Sequence, residues 1–238
     1  MYLLLDANVT AGYYLPRSLT SKLAVSRIAN IFDSVRSGAS KHFFYIPNFC
    51  VAEVFNVFMK HAFSSWNRHL KGKGTLDKRV YNSLVQQFKT DIHNGRFIYH
   101  YELSRYHVLG INLVAPIDHY YQFSRGRKNI APMGTFDHLI ISMGIHLAHI
   151  HGPDNVAILS TDDRLTNILS RCKSGIPATT LRKLKLEIAK EVTGKPFSSE
   201  LFPKHVNLKS KLKAPLVDVF GSWPLAVNYM PPVYRWLR

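Results

Sequence analysis

The sequence predicts an α/β protein with a mainly parallel central sheet. Short apolar runs, the first being Tyr2-Leu3-Leu4-Leu5, alternate with longer stretches whose apolar residues recur at helical spacing. Acidic residues stand at the ends of several of these runs, as they do where strands deliver side chains to one edge of a sheet. A length of 238 residues and a hydrophobic content of 46% supply a sizeable core and argue against disorder along the whole chain.

Residues 2–5 read as the first strand. Pro16 and Ser18 introduce a helical pattern through Leu19, Leu23, Ile28, Ile31 and Val35, closed by Gly38. A second strand is expected over 43–46, with Pro47-Asn48 as the turn into a helix whose apolar face holds Val51, Val54, Phe55, Phe58 and Ala62. Residues 64–79 are polar and basic and read as a loop. There Lys73-Gly74-Thr75 resembles the end of a phosphate-binding loop, but the first glycine of that motif is missing. A helix is expected over 80–92, a strand over 96–101 and a helix over 102–113. Residues 125–134 form a second basic loop, and Thr135 is the expected cap of a helix reaching about residue 150. A strand over 156–159 then turns into a short helix over 161–171.

From Arg171 onward, 13 Lys plus Arg stand against 4 Asp plus Glu. A helix over 181–192 and an edge strand over 206–208 are expected there, followed by a stretch with Trp223, Tyr229, Tyr234 and Trp236 that reads as packed on the domain. The expected division is 1–175 for the main domain and 176–238 for a basic, aromatic-containing extension. Cys50 and Cys172 have neither metal-ligand spacing nor a disulfide-rich pattern and read as buried, reduced thiols. No apolar run has the length of a signal peptide or a membrane span, so a soluble, cytoplasmic location is expected.

The net charge of +16 points to a polyanionic partner, nucleic acid before a membrane surface. Against that charge, 5 of only 15 acidic residues fall in one pattern: Asp6 after the first strand, Glu53 in the helix after the second, Asp137 in the first turn of a late helix, and Asp162 and Asp163 after the strand over 156–159. The helix macrodipole alone would explain Asp137 or Asp163, and Glu53 alone would be an ordinary surface residue. As a set they can converge beyond the carboxyl ends of parallel strands, where mutual repulsion calls for a cation. Oxygen ligands favour Mg2+ or Mn2+, which activate water and offset phosphate charge.

The segments Leu4-Leu5-Asp6-Ala7-Asn8, Glu53 after Ile46-Pro47, Asp137 opening a helix, and Ser160-Thr161-Asp162-Asp163 resemble, in order and context, the acidic motifs of the PIN-domain nuclease family. The resemblance covers residues 1–175. It implies a Rossmann-like α/β/α sandwich and Mg2+- or Mn2+-dependent cleavage of single-stranded RNA. It also implies that Asp6, Glu53, Asp137 and Asp162 or Asp163 are ligands or close support, with Asn8 and Thr161 assisting. Asp163 fits the family's T-x-D spacing better, while Asp162 directly follows Thr161. The chain is much longer than the compact PIN toxins, and its added basic segments suggest RNA contacts by Lys71, Lys73, Arg125, Arg127, Lys128, Arg182, Lys183, Lys209, Lys211 and Lys213. Tyr120, Tyr121 and Phe123 are placed to stack on bases but read more readily as core aromatics. Alternatives are a non-catalytic RNA-binding scaffold on the same fold, a structure-specific DNA nuclease and, more weakly, a phosphatase. The sequence does not decide whether a second copy or another protein partner is required.

Overall fold

The computed structural model describes residues 1–16, 22–62, 76, 78–93, 95, 97–124, 132–176 and 202–228. Five strands, β1 (Tyr2–Leu5), β2 (Phe43–Pro47), β3 (Ile98–Tyr101), β4 (Val156–Ser160) and β5 (Lys204–Asn207), form one sheet in the order β3-β2-β1-β4-β5. Every neighbouring pair is parallel. Helices flank the sheet in a Rossmann-like sandwich: α1 (Ala7–Tyr14), α2 (Lys22–Arg36), α3 (Asn48–Ala62), α4 (Lys78–His93), α5 (Arg105–Ser124), α6 (Thr135–His151), α7 (Asp163–Gly175) and the short α8 (Ala214–Phe220). Among the described residues no helix is long and apolar enough to cross a membrane.

The two central strands are apolar because both of their faces are covered. Leu3, Leu4 and Leu5 of β1 and Val156, Ala157, Ile158 and Leu159 of β4 are fully buried. Helix α6 approaches β4 so closely that a Cβ at Gly144 would stand 2.4 Å from Cδ1 of Ile158, and any larger residue there would force that side chain to shift. Helices α5 and α6 cross equally closely. A Cβ at Gly110 would meet Ser142 Oγ at 2.1 Å, and that hydroxyl donates to the His107 carbonyl at 2.7 Å. This crossing fixes α6, and with it Asp137, against the sheet.

Several elements depart from the sequence expectation. Helix α1, eight residues long, directly follows β1 and had no periodic signal of its own, because six of its residues are buried. Helix α5 does not stop at residue 113 but continues through Pro116, which lies exposed, to Ser124. Thr135 is the first residue of α6 rather than its cap: Gly134 occupies the N-cap with no side-chain hydrogen bond. The helix expected over 181–192 lies outside the described residues, as do Tyr229, Tyr234 and Trp236.

Beyond residue 175 the chain returns to the sheet. β5 pairs with β4, and the Leu208 N–H donates to the Ser160 carbonyl at 2.9 Å. Arg27 on α2 donates to the carbonyls of Leu208 and Ser210. Asn30 exchanges two hydrogen bonds with the backbone of Leu225, at 2.9 and 2.8 Å. Among the described residues of this region, Lys204, Lys209, Lys211 and Lys213 sit on or directly after this edge strand.

Candidate acidic active site

Strand order reverses between β1 and β4: β2 and β3 lie to one side of that junction and β5 to the other. In open α/β sheets the crevice beyond the strand ends at such a switch point is where ligands bind. β1 ends there on Asp6, and β4 ends on Ser160, followed by Thr161, Asp162 and Asp163.

Asp6 directly follows β1, whose Leu3, Leu4 and Leu5 are fully buried, and is itself only 4% exposed. Its N–H continues the ladder to the Leu159 carbonyl at 3.1 Å. Ser160 Oγ donates to Asp6 Oδ2 at 2.7 Å and accepts from the Asp162 N–H at 2.9 Å, so one hydroxyl joins the ends of the two central strands. Burial pushes the Asp6 carboxyl up to about 6, the nearby charges of Asp137 and Glu53 push the same way, and the Ser160 bond and the Asn8 N–H oppose them. Asp6 occupies the N-cap position of α1, and its carboxylate takes its 2.7 Å bond from Ser160.

Glu53, half-buried on α3, is raised by burial and by Asp137, against a bond from the Cys50 thiol. Asp137, half-buried in the first turn of α6, is raised by burial and by Asp162. Thus Asp6, Glu53, Asp137 and Asp162 share one electrostatic field although they come from four different segments. Asp162 caps α7, accepting from the Arg164 N–H at 2.7 Å. Asp163 is exposed and takes a short hydrogen bond from Asn207 of β5. Both line the same cleft; Asp162 also acts on Asp137, and Asp163 also bonds Asn207. Thr161 is buried and Asn8 exposed; both line a cleft beside the acids.

That cleft, of about 590 Å³, runs along α1 past Ala11, Gly12 and Leu15 and is bounded by Asp162, Arg164 and Lys209. Lys209, Lys211 and Lys213 are exposed on the segment between β5 and α8. Lys71, Lys73, Arg125, Arg127, Lys128, Arg182 and Lys183 lie outside the described residues, as does the side chain of Phe123. Tyr120 is 75% exposed rather than a core aromatic, and the Arg171 guanidinium covers the Tyr121 ring at 3.5 Å.

Sequence reasoning missed two residues. Ser160, rather than Thr161, supplies the hydroxyl that holds Asp6. Asp118 is a second buried carboxylate, on α5, fully shielded from solvent. It accepts from the Met133 N–H at 2.6 Å, His138 Nε2 at 3.1 Å and Gln122 Nε2 at 3.2 Å, and it faces Arg164 Nη2 at 3.6 Å. Its signal was a lone acid in the apolar stripe that runs through Val114, Ile117 and Tyr121.

Among the described residues no three carboxylate, imidazole or thiol groups are gathered into a cage for a metal ion. The donor set is nonetheless all oxygen at an open edge, which suits a cation bound through one or two carboxylates, waters and substrate phosphates. Comparison of the chain with protein-family models, curated proteins and solved structures gives no match.

Proposed function

We propose that this chain is a PIN-like, divalent-metal-dependent endoribonuclease acting on single-stranded RNA, with a basic C-terminal extension that grips the substrate. The observation that carries the reading is Asp6: a carboxylate at the switch point, 4% exposed, pushed up first by burial and further by the nearby charges of Asp137 and Glu53. A protein folding for stability alone has little reason to collect such groups at one sheet edge.

Asp6, Glu53, Asp137 and Asp162 would hold Mg2+ or Mn2+, with Asp163 as the outer member of the set. The ion, when bound, supplies a coordinated water of lowered pKa and positive charge opposite the scissile phosphate. Ser160 holds Asp6 in one orientation and, through the Asp162 N–H, fixes the loop that carries the fourth acid. Lys209 lines the cleft that Asp162 also lines and would contact a flanking phosphate. In-line attack by water would leave 5′-phosphate and 3′-hydroxyl ends. The net charge of +16 raises the local concentration of a polyanion and offsets its repulsion from the acids. The free, buried thiols of Cys50 and Cys172 suit a reducing, cytoplasmic setting.

The absence of a gathered metal cage among the described residues favours one alternative, an RNA-binding scaffold on the same fold. Incubation with labelled single-stranded RNA in Mn2+, Mg2+ and EDTA, beside the Asp6→Asn/Asp137→Asn double variant, separates the two. Metal-dependent cleavage lost in the variant supports the nuclease. Tight RNA binding in both proteins with no cleavage under any metal supports the scaffold. Single-stranded and flap DNA in the same assay test for a DNA nuclease.

A further inference from the structure

We infer that Asp118 is a positioning residue for the acidic site: its two carboxylate oxygens clamp the two arms that carry Asp137 and Asp162. This rests on the nuclease reading above. Oδ2 accepts from the Met133 N–H at 2.6 Å and from His138 Nε2 at 3.1 Å. Met133 leads into Gly134, the N-cap of α6, and His138 is the residue after Asp137. Oδ1 faces Arg164 Nη2 at 3.6 Å, and the backbone N–H of Arg164 donates to Asp162 Oδ1 at 2.7 Å. One side chain thus reaches Asp137 through its helix start and Asp162 through its capping bond. The two arms come from different parts of the chain, pack against each other directly, and are both bonded or faced by this one carboxylate.

The geometry assigns orientation to Asp118, not ligation. It is fully shielded from solvent and its oxygens face three N–H donors and the Arg164 guanidinium, so no open face is left toward the acidic edge. Groups that orient metal ligands in this way typically change metal affinity or activity by about 10–100-fold when altered. Gln122 supplies an internal control. It bonds the same carboxylate at 3.2 Å from within α5 itself.

The test uses the full chain with RNA cleavage titrated against Mn2+, together with direct Mn2+ binding followed by electron paramagnetic resonance in the absence of RNA. Asp118→Asn keeps the shape but sets an amide against donors on one side. Its Mn2+ half-saturation is expected to rise about 10-fold. kcat falls at low metal and recovers in part at high metal, while KM for RNA stays within about twofold. Gln122→Ala should leave Mn2+ half-saturation where it was. Arg164→Gln removes the guanidinium that faces Asp118 and leaves the Met133 and His138 bonds in place, so it should give an intermediate shift, and it carries the test if Asp118→Asn does not fold. Wild-type protein that binds Mn2+ and cleaves, with Asp118→Asn and Arg164→Gln matching Gln122→Ala, overturns the clamp and leaves the nuclease standing. Wild-type protein that neither binds Mn2+ nor cleaves overturns both.

Discussion

Asp6 and Asp118 are two buried carboxylates held in opposite ways. Asp118 accepts three hydrogen bonds and faces an arginine, and although burial pushes its carboxyl up, these donors outweigh burial and hold it below the usual carboxylate range. Asp6 has the Ser160 hydroxyl and the Asn8 N–H against burial and the charges of Asp137 and Glu53, and its carboxyl is pushed up to about 6. A carboxylate with donors on both oxygens is part of the framework. One that remains ionisable among like charges fits the proposed cation site.

The largest expected effect breaks this pair apart by sign. Asp6→Asn should reduce metal-dependent RNA cleavage by at least ~100-fold, beyond the range of residues that only orient ligands. In metal-free buffer at pH 7 the same variant should be as stable as wild type, or more stable by up to about 2 kcal/mol, because a desolvated charge is removed. Asp118→Ala should instead lose about 3–5 kcal/mol, since it leaves the Met133 N–H, His138 and the Arg164 guanidinium without their acceptor. Urea unfolding of the three proteins without metal reads both. Equal losses from the two substitutions would mean that Asp6 is framework too.

The same contrast explains how much was legible in the sequence. Strand runs such as Leu3-Leu4-Leu5 and the acids that end them are local, so the α/β class and the positions of Asp6, Glu53, Asp137 and Asp162 follow from composition at fixed places. Strand order is not local: nothing in residues 2–5 or 156–160 says that they are neighbours, yet that adjacency creates the switch point and lets Ser160 reach Asp6. Asp118 and His138 are 20 residues apart on different helices and pair only because Gly110 lets α5 close on α6. Helix α1 escaped notice because six of its eight residues are buried, which leaves too little polar face to give it a period. Between Asp162 and Asp163, spacing pointed one way and the capping geometry of α7 the other.

The pH dependence should sharpen the comparison next. The Asp6 carboxyl stands at about 6 in the fold against an ordinary 3.8, so the folded protein holds this proton more tightly than the unfolded chain does. Metal-free stability therefore falls, through Asp6, as pH rises from about 4 to about 6. That slope should vanish in Asp6→Asn. Metal binding needs the ionised form, so cleavage should rise through about pH 6, and more Mn2+ should move the rise to lower pH.

A third buried group acts in the opposite direction. His107 Nε2 and His146 Nδ1 stand 3.0 Å apart, with the Tyr101 hydroxyl 2.8 Å from His146 Nδ1. His107 Nδ1 accepts from the Ser104 N–H at 2.9 Å, so that ring is neutral with its proton on Nε2. Burial lowers His107 to about 3 and His146 to about 4, and each ring also feels a neighbouring histidine. The unfolded chain binds these protons more readily, so the stability is fully present above about 6.5 and is lost as pH falls toward 4, by on the order of 2 kcal/mol. Replacing His107 with Phe should flatten this acid limb while leaving the slope due to Asp6 in place. A thermal-melt series from pH 4 to 7 on both variants separates the two contributions.

The smallest effect concerns the basic edge. Lys209, Lys211 and Lys213 stand exposed after β5, with Lys209 lining the cleft that Asp162 also lines. If all three lie along the RNA backbone, their replacement by Ala should reduce the dependence of log K on log salt by about 2, since each phosphate contact on a single strand contributes about 0.7. The loss should fall on KM at physiological salt and fade as salt rises, whereas Asp6→Asn cleaves poorly at every salt concentration. A triple variant with an unchanged salt slope would move the RNA path away from β5. A lost slope with intact cleavage of saturating RNA would divide the molecule as its charges suggest, with cations that collect the polyanion and acids that cut it.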